Sequence, residues 1–100
     1  METVLVIGAA RSGIAVSKLL LKNGYHVVLT DSNEIKEKAE LQDLGIEVFD
    51  GGHPDCLKDK EYAFIVKNPG IPYRVQFVHY FVEQNAKFYT EIEVAYRFAK

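Results

Sequence analysis

Apolar runs and amphipathic stretches alternate along the whole of this 100-residue chain. From Val4 to Ile7 every residue is apolar, as in a strand covered on both faces within a parallel sheet, so Thr3–Ile7 is read as the first strand. Ser12 to Lys22 follows with helical spacing. Lys18 and Lys22, one turn apart, are its only charged side, so this helix is expected to be covered nearly all round. Asn23-Gly24 supplies a left-handed stop. His26 to Thr30 is the second strand. Asn33 reads as the cap of a helix reaching about Leu44, closed by Gly45, with Glu34–Lys38 and Lys36–Glu40 spaced as ion pairs.

The second half repeats the rhythm. Ile46–Phe49 is a short third strand, Asp50–Asp55 a loop, and Cys56–Lys60 one helical turn. Tyr62–Lys67 is the fourth strand and ends in Asn68-Pro69-Gly70-Ile71-Pro72. Pro69-Gly70 is the pair of a type II turn, with the glycine at positive φ. Arg74–Asn85 predicts a helix presenting Val75, Val78, Phe81 and Val82 on one face. Phe88-Tyr89 is a brief fifth strand. Thr90-Glu91-Ile92-Glu93 is a capping box that opens a last helix running to Lys100.

Strands alternating with helices imply right-handed crossovers. The expected fold is α/β: a Rossmann-like, doubly wound, mainly parallel five-stranded sheet with helices on both faces and strand order 3-2-1-4-5. That order sets strands one and four side by side at the switch point, where ligands bind outside the carboxyl ends. The loop at Gly8–Ser12 then faces the loop at Asn68–Ile71, with Asp31 on the flank.

Candidate chemistry lies at those ends. Gly8, Ala10 and Gly13 form Gly-x-Ala-x-x-Gly between a strand and a helix, the dinucleotide-binding fingerprint with alanine in its middle position. Gly8 lets the chain turn out of the strand, a small residue at 10 lets a phosphate approach, and Gly13 lets helix and strand pack closely. The helix N-terminus offers free amides to an anion. Ser12 and Arg11 stand there either as phosphate contacts or as an N-cap and a solvated charge. Asp31 follows Gly8 by 23 positions, where a carboxylate meets a nucleoside or caps the next helix. Its charge would repel a 2′-phosphate. Ser32 and Asn33 could add polar contacts. Asn68, Pro69 and Gly70 form a flat wall for a ring or a plain turn.

Composition narrows the classes. A net charge of −2 gives no reason to expect nucleic acid or an anionic membrane as partner. The single cysteine, Cys56, excludes an internal disulfide and fits a reducing compartment. No targeting signal or membrane-length apolar run is apparent. His26, His53 and His79 lack metal-ligand spacing, and no metal site is expected. There is no Gly-x-x-x-x-Gly-Lys-Ser/Thr loop for ATP and no catalytic nucleophile arrangement.

Four pieces in order carry a family resemblance: Val6 to Gly13, Thr30-Asp31, Val66 to Pro72, and Thr90 to Ala95. Together they span almost the whole chain, which resembles the N-terminal domain of the UDP-N-acetylmuramoyl-L-alanine:D-glutamate ligases of peptidoglycan synthesis, within the Mur ligase family. The resemblance implies a single domain over 1–100 that is the first of three in a longer cytoplasmic enzyme. This domain holds the UDP part of UDP-N-acetylmuramoyl-L-alanine. Diphosphate would rest on the amides around Arg11 and Ser12, uracil on Asp31 and Ser32, and the nucleoside on Asn68 to Gly70. No cofactor is implied for this domain. ATP, Mg2+ and D-glutamate would be bound by the absent domains, leaving the fragment inactive alone. An NAD-binding domain of a dehydrogenase and a nucleotide-sensing regulatory module are the competing readings.

Overall fold

The centre of the sheet is the most apolar stretch of the sequence. In the computed structural model, which describes residues 1–98, Val4, Leu5, Val6 and Ile7 are all fully buried. The elements are β1 (Thr3–Ile7), α1 (Arg11–Lys22), β2 (His26–Thr30), α2 (Lys38–Asp43), β3 (Glu47–Phe49), a 3-10 turn (Asp55–Asp59), β4 (Phe64–Lys67), α3 (Gln76–Glu83), β5 (Phe88–Thr90) and α4 (Glu91–Phe98). The five strands form one sheet in the order β3-β2-β1-β4-β5, and each neighbouring pair is parallel. This is the doubly wound, Rossmann-like arrangement expected from the sequence.

Side chains alternate across β1 and divide the core in two, because successive residues of a strand face opposite sides. Val4 and Val6 pack with Val16 and Leu20 of α1, Leu41 of α2 and Val94 of α4. Leu5 and Ile7 pack with Leu57 of the 3-10 turn and with Phe77, Val78 and Phe81 of α3. The chain crosses from one face to the other after β3. The switch point therefore falls between β1 and β4, as the right-handed crossover rule requires.

Three elements differ from the sequence reading. The helix expected from Asn33 is only the six residues Lys38–Asp43, with Glu37 at its cap. The segment before it is held by Asp50: Ile35 N–H donates to Asp50 Oδ2 at 2.9 Å, and Lys38 Nζ, at the helix start, donates to Asp50 Oδ1 at 3.1 Å. Lys38 thus pairs with Asp50 rather than with Glu34. On α1, Arg11, Ala15, Lys18 and Lys22 are exposed, so the helix shows one stripe to solvent instead of being covered all round. On α3 the buried face is Phe77, Val78 and Phe81, while Val82 is exposed.

The capping box forms as read, with Thr90 N–H donating to Glu93 Oε1 at 2.8 Å and Glu93 N–H to Thr90 Oγ1 at 3.1 Å. The expected extension of the last helix to Lys100 lies outside the described residues. Among the described residues no helix is long and apolar enough to cross a membrane.

Candidate functional site

The site is assembled where β1 and β4 diverge. Gly8 has φ +109°, and a Cβ placed on it would lie 2.9 Å from Asn68 Cβ and 3.2 Å from Ile71 Cδ1. The loop after β1 thus presses directly on the turn after β4, which only glycine at position 8 allows. At Gly13 a Cβ would fall 2.1 Å from the Gly8 carbonyl oxygen. Here the fingerprint glycine brings α1 against the end of β1. Ala10 is the N-cap of α1, and its side chain makes no capping bond. The first amides of the helix, at Arg11, Ser12 and Gly13, have no partner within the helix.

Asp31 closes the far flank. Its Oδ2 accepts the Ala9 N–H at 2.7 Å and its Oδ1 accepts the Asn33 N–H at 2.8 Å. One carboxylate thereby ties the glycine-rich loop to the end of β2, and each oxygen retains a further lone pair for a ligand. The Ser12 hydroxyl donates to Glu91 Oε1 at 2.6 Å. Glu91 is buried and its Oε2 has no hydrogen-bond partner. This carboxylate sits beside the N-terminus of α1, which attracts negative charge.

On the other side, Asn68 to Ile71 is a turn closed by Ile71 N–H to Asn68 O at 3.0 Å. Gly70 has negative φ, so this is not the type II turn read from Pro69-Gly70. Side chains set its shape instead. Asn68 Oδ1 accepts the Gly70 N–H at 2.8 Å, and Lys67 Nζ donates to Asn68 O at 3.1 Å and to Ile71 O at 2.6 Å. Lys67 is buried at the end of β4 and also lies 4.3 Å from the centre of the Tyr73 ring. Sequence reasoning passed over it. Its signal was a lysine ending an otherwise apolar central strand.

A cavity of about 280 Å³ opens between these ends, lined by Asp31, Ser32, His53, Gly70, Ile71, Pro72 and Val75. Asp31, Ser32 and Gly70 were among the sequence-predicted site residues. Gly8, Ala10, Arg11, Ser12 and Gly13 form the neighbouring loop, and Asn33, Asn68 and Pro69 support the rim without lining the cavity. Ligand cavities typically measure about 300–1,000 Å³, so this one suits a single ring system rather than an entire dinucleotide. A larger cavity of about 480 Å³, lined in part by Lys58, Lys60, Tyr80 and Lys87, opens at the amino ends of β4 and β5. Doubly wound sheets bind ligands at the carboxyl ends, and the convergent polar groups are there too.

His53 was also missed as a site residue. Its Nδ1 lies 2.8 Å from Thr30 Oγ1, and its ring stacks on Phe77 with centroids 4.5 Å apart. Burial lowers its pKa below the ordinary histidine value, with the Asp31 charge opposing in part. The Gly-Gly-His-Pro sequence just past the third strand was the available signal, since it places a histidine at a carboxyl end.

No family model matches the chain. It is similar to several curated proteins named UDP-N-acetylmuramoylalanine–D-glutamate ligase. That of Staphylococcus haemolyticus (strain JCSC1435) is 42% identical over 98 residues, covering 95% of this chain. That of Enterococcus hirae is 43% identical over 102 residues and covers 99%. That of Geobacillus kaustophilus (strain HTA426) is 43% identical over 100 residues and covers 97%. The chain spans 22% of the length of each of these relatives. With near-complete coverage of its own length at this identity, the chain belongs to the family of UDP-N-acetylmuramoylalanine–D-glutamate ligases, as a counterpart of their N-terminal domain.

Proposed function

We propose that this chain binds the uridine diphosphate part of UDP-N-acetylmuramoyl-L-alanine and serves an ATP-dependent ligase that attaches D-glutamate to it in peptidoglycan synthesis. The observation carrying this reading is a ring-sized cavity lined by Asp31, Ser32 and Gly70, beside a glycine-rich loop that is bonded to Asp31 and pressed against Asn68. The names of the relatives supply the substrate.

In this reading the diphosphate rests on the amides of Ala10 to Gly13 with Arg11 beside it. Asp31 and Ser32 meet the uracil, Asn33 borders them, and Asn68, Pro69 and Gly70 form the opposite wall. One nucleotide site tolerates Ala10, whose methyl narrows the approach that a dinucleotide would need. The chain is a single domain of a three-domain enzyme. ATP, Mg2+ and D-glutamate belong to the other domains, because this sequence has no phosphate-cradling Gly-Lys-Ser/Thr loop. Alone the chain catalyses nothing. Its contribution is positional: anchoring the remote end of the substrate holds the alanyl carboxylate in register for chemistry elsewhere.

Titration of the purified chain with UDP, NAD and ADP, followed by calorimetry, tests the reading. Binding of UDP in preference to the other two supports it. Preferential binding of NAD would replace it with a dehydrogenase-type cofactor site.

A further inference from the structure

One polar group of the cavity has no part in the function just proposed. His53 is held from two sides, by Thr30 Oγ1 at Nδ1 and by the face of Phe77. The loop that presents it is locked in turn. Gly51 and Gly52 have φ of 71° and 141°, which side chains rarely adopt. Their amides donate to Asn33 O and Asp31 O, each at 3.2 Å. The imidazole is therefore fixed to the same segment that carries Asp31, and among the described residues its Nε2 has no hydrogen-bond partner.

We infer that His53 is a specificity-determining residue, which donates a hydrogen bond from Nε2 to the C4 carbonyl of the bound pyrimidine while Asp31 accepts the adjacent ring N–H at N3. The inference rests on the uridine diphosphate reading above and extends it. The fully buried Thr30 hydroxyl lies 2.8 Å from Nδ1; the inference assigns it as the donor, the arrangement that leaves the proton of the neutral ring on Nε2. An acceptor beside a donor complements the imide edge of uracil, which offers N–H next to C=O. At N3 and C4 cytosine presents a bare ring nitrogen and an amino group instead. Asp31 would then face a lone pair and His53 an N–H, and both mismatches leave partly buried groups unpaired.

The test compares UDP with CDP on the wild-type chain and on H53A, H53N and H53Q, with circular dichroism confirming that each variant is folded. An Asn amide reaches the place of Nδ1 and keeps the Thr30 bond, whereas a Gln amide reaches the place of Nε2. Wild type is expected to prefer UDP about tenfold or more. H53A and H53N should lose most of that preference, and H53Q should retain it. Unchanged preference in H53A and H53N, or recovery in H53N but not in H53Q, overturns the role of Nε2. Failure of the wild-type chain to bind UDP refutes the underlying site instead, so the two failures are distinguishable.

Discussion

The two loops that face each other across β1 and β4 are shaped by opposite means. The glycine-rich loop depends on what is missing: a side chain at Gly8 would strike Asn68, and one at Gly13 would strike the Gly8 carbonyl. The turn after β4 depends on what is present, namely the Asn68 amide and the Lys67 ammonium that hold its carbonyls and amides. A loop defined by absent atoms tolerates no addition, because backbone cannot yield. A turn held by side chains tolerates a deletion, because the remaining bonds still close it.

Adding an atom to the first loop should therefore produce the largest effect. Gly13→Ala places a methyl 2.1 Å from a backbone oxygen. It is expected to destabilise the chain by more than about 3 kcal/mol in urea unfolding, and a wild-type midpoint would break the contrast. Asp31→Ala comes next. It removes the acceptor of two amides, at Ala9 and Asn33, at a cost of about 2 kcal/mol, with loss of UDP binding; Asp31→Asn should cost less, since one acceptor survives. Lys67→Met should be milder still, about 1 kcal/mol or below, because removing a buried charge offsets the lost bonds. Faster hydrogen exchange at the Ile71 amide would locate the damage in the turn.

The smallest effect is a pH dependence. Burial lowers the His53 pKa in the folded chain relative to its ordinary 6.5. The unfolded chain then binds the proton more readily, and stability rises with pH across the window between the lowered value and 6.5. The contribution is complete above 6.5 and is lost as the pH falls below it. In H53Q this part of the stability–pH curve should vanish. Asp50 and Glu47, both lowered by hydrogen bonds from Ile35 and His26 respectively, act further into the acid range and are left intact by that substitution.

The same contrast explains what could be read in advance. Strand order and the role of Gly13 were legible because glycine spacing and apolar runs act locally. The short α2 was not, since Asp50, fifteen residues after Ile35 in the chain, captures the Ile35 amide. Gly70 was misread for a related reason: its neighbour Asn68 sets the turn through a side-chain bond that composition does not reveal. The roles of Lys67, Glu91 and His53 each depend on a contact with another residue. For Glu91 that is Ser12, which lies 79 positions away, beyond the reach of any motif. Asp31 lay between these cases. Its position was predicted from its spacing, but its grip on the Ala9 amide was not.

The most direct measurement maps UDP onto the 15N-labelled chain by nuclear magnetic resonance, at nucleotide concentrations up to several millimolar so that weak binding is seen. The account predicts saturable shifts concentrated at Ala10–Gly13, Asp31–Asn33, His53 and Gly70. Shifts gathered instead around Lys58, Tyr80 and Lys87, or none at any concentration, would contradict it.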